Sequence, residues 1–347
     1  MTNPPLSQDQ VNELEAIVGA DYVLQDPADR ERFGTDWSKL YDPAPCAVVL
    51  PANTEEVQAI VSWASRSKVA LVPSGGRTGL SGGASACKGE LVVALDRLNK
   101  ILEFDAASQT VRCQAGVITE QLQQFAEEKG LYYPVDFASS GSSQIGGNIG
   151  TNAGGIKVIR YGMTRNWVAG LEVVTGAGQV LQLNRGLVKN NAGYDLRQLF
   201  IGAEGTLGIV TEAIIKLTRQ PADLNVLVLG VVEFAAIMDV LQAFQGGMDI
   251  TAFEFFSEPA LAKVVEHQGL QRPFDSEAPY YALIEFENQS EQSLDQAMAL
   301  FEESPFLSKT YKKKATKYLE RSYDYLNGEG TFKRKILDRC RGDVIPG

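Results

Sequence analysis

The sequence predicts an α+β chain built from two bodies. Three observations carry that reading. A β-α-β unit occupies 46–72, a run of strands broken by one long helix occupies 91–217, and a β-α-β-α-β-α succession begins near residue 225. Between the last two, "TRQPAD" at 218–223 is rich in turn formers and marks a boundary. The expected divisions are a helical segment at 1–41, a first domain at 42–220, a partial second domain at 221–307 and a divergent tail at 308–347.

The elements follow from local pattern. Cys46–Leu50 is a short apolar strand. Asn53 caps the next helix, with Glu56 three residues on to complete a capping box. Val57, Ile60, Val61 and Ala64 repeat at helical spacing, so that face is buried. Val69–Val72 is a second strand. Strands are expected at 91–95, 100–104 and 110–115, and a helix near 118–129 that ends at Gly130. Residues 134–165 carry little periodicity. "LEVVTGAGQVLQL" reads as a hairpin and "GIVTEAIIKL" as a further strand. In the second body, strands at "VLVLGVV", "TAFEFFS" and "YYALIEFE" alternate with helices at 233–244, 259–267 and 290–303, which suits a small sheet with helices on one face. "YYALIEFE" is expected to be an unprotected edge that favours association, a homodimer or larger.

Composition narrows the function. The net charge of −11 and pI near 4.8 argue against nucleic acid as a partner. No apolar run approaches the roughly 20 residues of a membrane span, and the N-terminus lacks the regions of a signal peptide. The expectation is a cytoplasmic protein. Cys46, Cys87, Cys113 and Cys340 form no CxxC pair and read as free thiols. The single histidine, His267, cannot supply a triad or a multi-His zinc site by itself and reads as a surface residue at a helix end. Residues 308–347 differ from the rest: they carry a net +6, against −17 for the remainder. Tyr311, Ala315, Tyr318, Leu319 and Leu326 fall on one face of an amphipathic helix there.

Three glycine-rich elements carry the chemistry. "PSGGRTGLSGG" at 73–83 lacks the lysine of a Walker A loop, and it is followed by loop and strand where a dinucleotide fingerprint needs a helix. What remains is an anion nest: glycines that let a phosphate approach, with Arg77 to offset its charge and Thr78 or Ser81 to donate hydrogen bonds. "GSSQIGGNIGTNAGG" at 141–155 suits backbone lying against a flat polar ligand, and "IGAEGTLGIV" at 201–210 sets further glycines before a strand. Together they suggest one long cofactor threaded between two subdomains.

These segments resemble the FAD-binding domain of the p-cresol methylhydroxylase / vanillyl-alcohol oxidase superfamily. The likeness rests on "PSGGRTGLSGGA", "PVDFASSGSSQIGGNIGTNAGGIKVIRYGMTRNWVAGLEVVTG" and "VKNNAGYDLRQLFIGAEGTLGIVTEAIIKL", and runs from about Phe33 to about Phe301, with "TAFEFFS" and "QRPF" extending it into the second body. Within the superfamily the chain is most similar to the 2-hydroxy-acid dehydrogenases, those of D-2-hydroxyglutarate above all. The resemblance implies a two-subdomain FAD-binding domain followed by a partial ferredoxin-like α/β cap. Pro73, Ser74, Gly75, Gly76, Arg77, Thr78, Gly79, Ser81, Gly82 and Gly83 would hold the pyrophosphate. Asp136, Ser140, Gly141, Ser142, Gly146, Gly147, Asn148, Thr151 and Asn152 would line the flavin end. Glu204, Gly205, Gly208, Ile209 and Val210 would complete the adenine and ribose side.

The resemblance also implies the reaction: a hydride passes from the α-carbon of a 2-hydroxy acid to the flavin, a base takes the hydroxyl proton, and the electrons go on to an acceptor that the sequence does not name. With no histidine before position 267, the FAD is expected to be non-covalent, in preference to attachment through Cys87. The metal ligands and base of the family's later cap segment are absent here, so a divalent metal such as zinc is expected only in full-length relatives. Charge and likeness change together after about Phe301, which reads as a truncation or a shift of reading frame, with natural divergence into a shorter protein as the alternative. The chain alone is therefore expected to hold FAD and to turn over poorly or not at all. Arg160, Tyr161, Lys189 and Tyr194 read as surface or structural polar residues, and no catalytic residue is assigned. D-lactate or glycolate dehydrogenases and a non-catalytic flavin-binding subunit remain alternatives.

Overall fold

The computed structural model describes residues 5–269, 272, 277–287, 295–297, 299 and 300. The chain divides into two compact units. The first holds the described residues up to Pro134 together with Ser139–Ala153 and Met163–Arg219; the second holds Val135–Ala138, Gly154–Gly162 and the described residues from Gln220 onward.

The first unit opens with α1 (Gln8–Val18), β1 (Val23–Leu24) and α2 (Pro27–Gly34). Next come β2 (Ala47–Val49), α3 (Thr54–Ser67), β3 (Leu71–Ser74) and β4 (Leu91–Ala94). They form a four-stranded sheet ordered β1-β2-β4-β3, in which β2, β4 and β3 run parallel and β1 antiparallel. The expected cap of α3 is present: Asn53 accepts the Glu56 N–H at 2.8 Å, and Glu56 reaches back to the Ala52 N–H at 2.8 Å. Val57, Ile60, Val61 and Ala64 are all buried, each of the larger three stabilising the fold by about 1.5–3 kcal/mol. Trp63 on the same helix donates its indole N–H to Glu13 of α1 at 2.7 Å.

The chain continues through β5 (Ile101–Asp105), β6 (Thr110–Gln114), α4 (Thr119–Glu128), β7 (Leu131–Tyr132) and α5 (Ile145–Thr151). After α6 (Val158–Tyr161), which belongs to the second unit, α7 (Thr164–Trp167), β8 (Val168–Thr175), β9 (Val180–Leu183), α8 (Arg197–Phe200), β10 (Gly208–Lys216) and β11 (Thr218–Arg219) complete the first. A five-stranded antiparallel sheet, β5-β6-β10-β8-β9, and the short pair β7–β11 result. Three short helices, α5 to α7, occupy the aperiodic stretch 134–165, where turns of four to seven residues are too brief to print a period.

One face of the five-stranded sheet carries a polar cleft of about 690 Å³, lined by Glu55, Glu103, Arg112, Glu172 and Glu212 among others. Glu172 and Glu212 stand directly opposite on β8 and β10, an unfavourable like-charge pair. Glu172 is held by Thr54 at 2.6 Å and Glu212 by Arg112 at 3.2 Å. Burial, aided by Glu172 and Glu55 and opposed by Arg112, raises the Glu212 carboxyl above its usual value of 4.5. A raised folded-state value contributes stability that is present below the unfolded value and lost as pH rises through the folded one. Glu212→Gln is therefore expected to flatten the fall in stability as pH rises above 4.5, measured by urea denaturation across pH; an unchanged pH profile would refute this.

The second unit contains α6, β12 (Leu224–Val231), α9 (Ala236–Gln245), β13 (Ile250–Ser257), α10 (Glu258–Gln268) and β14 (Tyr280–Glu287). Its sheet is ordered β12-β14-β13, every pair antiparallel. Two expectations are corrected here. "YYALIEFE" is not an edge: it is β14, the central strand, buried along Tyr281–Glu287. Pairing with a strand on each side makes it central, and the edges are β12 and β13. Nor do the helices share a face. Leu227, Leu229 and Ile284 pack with Ile237, Val240 and Phe244 of α9, whereas Val228, Tyr281 and Leu283 pack with Leu261 and Val265 of α10. Alternate residues of one strand point to opposite faces, so each face carries its own helix.

His267 lies exposed in the last turn of α10, as expected. Among the described residues no helix is long and apolar enough to cross a membrane. Cys46, Cys87 and Cys113 are free, and burial pushes the Cys113 thiol up to about 12. Of the helix expected at 290–303, the described residues 295–297, 299 and 300 are helical. Cys340, most of "QRPF" and the basic tail lie outside the described residues.

Candidate cofactor site

Within the first unit the three glycine elements meet. The loop 75–83 leaves β3 and returns to β4, its parallel neighbour, without an intervening helix. A Cβ on Gly76 would lie 2.3 Å from the Ser142 carbonyl oxygen, and one on Gly75 would lie 3.5 Å from the Gly147 Cα. The first two elements are thus in close contact, and at position 76 only glycine permits it. The third joins through Gly202, whose N–H donates to the Ile149 carbonyl at 3.0 Å, and Glu204, whose N–H donates to the Gly150 carbonyl at 2.8 Å. Gly205, at φ +76°, sits under Pro73, and the Glu204 carboxylate would be 3.0 Å from a Cβ on Gly83.

The sequence found no helix start near the loop. One is present, but it comes from far along the chain: α5 begins at Ile145, against Gly75. Only tertiary folding brings it there.

The candidate residues separate by what their atoms already do. Gly146 is required by packing, because a Cβ would come within 2.6 Å of Ala115 Cβ. Asn148 turns inward, donating to Thr119 Oγ1 at 2.6 Å, which in turn meets Ser143 Oγ at 2.7 Å. Ile209 and Val210 are buried on β10, and Gly208 is pressed against the Val174 carbonyl; at these three, backbone alone is left for a ligand. Thr151 bonds back to the Gly147 carbonyl and Asn152 caps α5 in the left-handed region while accepting the Arg165 N–H. Ser140 accepts the Glu120 N–H, and Gly141 lies near the Glu120 carboxylate. Thr78 is half-buried, and Gly79, Ser81 and Ser142 are exposed. Asp136 lies in the second unit, buried, its carbonyl accepting the Ile156 N–H.

Arg77, expected to offset the charge of a phosphate, is already engaged within the protein. Its guanidinium pairs with Asp96 at 2.9 Å, donates to the Gly75 carbonyl at 2.6 Å and to Ser74, and lies over the Phe33 ring. That arginine shapes the loop from inside. Asp96 and Asp36, the latter accepting the Gly82 N–H at 2.6 Å, were not singled out from the sequence. The Asp-x-Ser spacing of Asp36 and Ser38 was the one available signal.

Gly147 is the residue that tests whether a ligand fits. It sits inside α5 with φ outside the left-handed region, and a Cβ there would meet no atom within 4 Å beyond its chain neighbours and its own helix backbone. Glycine inside a helix costs about 0.5–1 kcal/mol relative to alanine, and here neither packing nor backbone conformation asks for it. An open strip beside bare backbone is what a closely held cofactor needs. Among the described residues no group of His, Cys, Asp or Glu is placed to hold a metal.

Comparison with known proteins agrees with this geometry. Residues 45–184 match the FAD binding domain family, and residues 220–313 match the family of FAD linked oxidases, C-terminal domain. The two matches follow one another along the chain. The second match reaches residue 313, past the point near Phe301 where the likeness was expected to fade. The chain is 61% identical over 302 residues to a D-2-hydroxyglutarate dehydrogenase of Stutzerimonas stutzeri, covering 87% of this chain and 64% of that protein. A second, from Xanthomonas citri pv. viticola, is 52% identical, with 87% and 63% covered. The chain therefore spans just under two thirds of these relatives. Among solved structures, p-cresol methylhydroxylase with substrate bound matches at TM-score 0.69 and 16% identity, over 99% of this chain and 71% of that one. An alkyldihydroxyacetonephosphate synthase matches at 0.71 and 24%, over 94% and 66%. The chain shares the fold of these structures and is α+β, as the sequence predicted.

Proposed function

We propose that the first unit binds FAD without a covalent bond and that the protein oxidises a D-2-hydroxy acid, D-2-hydroxyglutarate, to the 2-oxo acid. In this reading 42–220 is the FAD-binding domain and 221–307 begins the substrate cap. The observation that carries the cofactor half is the open space at Gly147, on the helix that the other two glycine elements contact. The substrate rests on the identity of 61% to the Stutzerimonas enzyme.

The residues of this chain would act on FAD by position. Backbone N–H groups of 75–83 would receive the pyrophosphate, the bare Cα of Gly147 would lie against the cofactor, and 202–205 would close the other side. Bound there, FAD supplies the two-electron acceptor for the hydroxy acid. Arg160 is paired with Asp249 at 2.8 Å, and no base is assigned.

Titrating the purified apoprotein with FAD tests the cofactor. One equivalent should bind with loss of flavin fluorescence and be released on denaturation; absence of binding would overturn the reading. Anaerobic D-2-hydroxyglutarate should then bleach the bound flavin slowly or not at all, whereas rapid bleaching would show that the chain alone carries a complete site.

A further inference from the structure

We propose that Asp36 is a positioning residue for the pyrophosphate-receiving loop, a role that rests on the FAD reading above. Asp36 is 3% exposed, yet its carboxylate is fully used. One oxygen accepts the Gly82 N–H at 2.6 Å; the other accepts the Ser38 N–H at 3.1 Å and the Ser38 hydroxyl at 2.6 Å. The neighbouring Trp37 N–H donates to the Gly79 carbonyl at 3.1 Å. The Tyr41 ring lies against Gly82, so close that a Cβ there would be 2.6 Å from it.

Residues 36–41 thus grip the half of the loop that Arg77 does not reach. Arg77 and Asp96 hold the Gly75 end, and Asp36, Trp37 and Tyr41 hold the Gly79–Gly82 end. A stretch with five glycines in eleven residues has a large conformational entropy to lose before its N–H groups can converge on an anion. Gly82 is held at φ +78°, a conformation fixed by the bond to Asp36 and by the ring below it. The clamp removes that freedom before the ligand arrives, which raises affinity by preorganisation. Because Asp36 acts on the pyrophosphate loop alone, its loss should fall on ligands that carry a pyrophosphate.

The test compares Kd values of the full chain for FAD, ADP and riboflavin, in wild type, Asp36→Ala and Asp36→Asn. Asp36→Ala should weaken FAD and ADP about tenfold, the effect of losing one charge-assisted hydrogen bond, and leave riboflavin within about twofold. Asp36→Asn, which keeps one acceptor oxygen, should lie between and carries the comparison should the alanine variant fold poorly. Wild-type FAD affinity in the variants, or equal loss for riboflavin and FAD, overturns the proposal. A wild type that binds riboflavin but neither FAD nor ADP overturns the FAD reading itself.

Discussion

Gly147→Ala is expected to leave the apoprotein folded, at or slightly above wild-type stability, while weakening FAD by about tenfold to a hundredfold. The two effects come from the same absent methyl. In the apoprotein a Cβ at 147 meets nothing within 4 Å, and alanine is favoured over glycine in a helix by about 0.5–1 kcal/mol. In the complex that methyl would stand where the cofactor lies, and overpacking a close contact costs roughly 1–3 kcal/mol. Thermal denaturation of the apoprotein and an FAD titration check the pair. Gly146→Ala is the contrasting substitution, because its Cβ would be driven into Ala115 and should lower apoprotein stability first. An alanine at 147 that binds FAD like wild type would remove the main support for placing the cofactor there.

Lys157→Met should destabilise the second unit by about 3–5 kcal/mol, the cost of stranding a buried charge. Lys157 and Glu285 form a salt bridge in which the side chains are 6% and 2% exposed, and Glu285 also accepts the Thr251 hydroxyl at 2.6 Å. The informative variant is the double one. With Glu285→Gln added, no charge is left uncompensated and the bond from Thr251 can persist, so much of the lost stability should return. Urea denaturation of the two single variants and the double variant measures this. A double variant no more stable than the worse single one would mean that the pair is not the unit of stabilisation.

Local pattern made most elements readable. The α3 cap and its buried stripe and the β8–β9 hairpin depend on neighbours in sequence, and each lies within a few residues of its expected place. What escaped depends on partners far away. The place of β14 in its sheet is set by pairing with β12 and β13, which an apolar run alone does not reveal. The same holds at the candidate site. Clusters of glycine marked the three segments, but not which glycine faces protein and which faces open space: Gly146 and Gly147 are adjacent and opposite in that respect. The partner of Arg77, Asp96, is nineteen residues on and outside the loop, so the loop sequence does not announce it.

The pairing of Lys157 with Glu285 has a consequence for how the chain is made. The partners are 128 positions apart, and a ribosome adding about 5–20 residues per second delivers the second roughly 6–25 s after the first. Throughout that interval Gly154–Gly162 has been synthesised but the carboxylate that receives Lys157 has not. The first unit can form its sheets in the meantime, since its last strand ends at Arg219; the excursion between α5 and α7 must wait. Synthesis therefore imposes an order of assembly in which the stretch just downstream of Gly147 is among the last parts of the first two hundred residues to reach its final place.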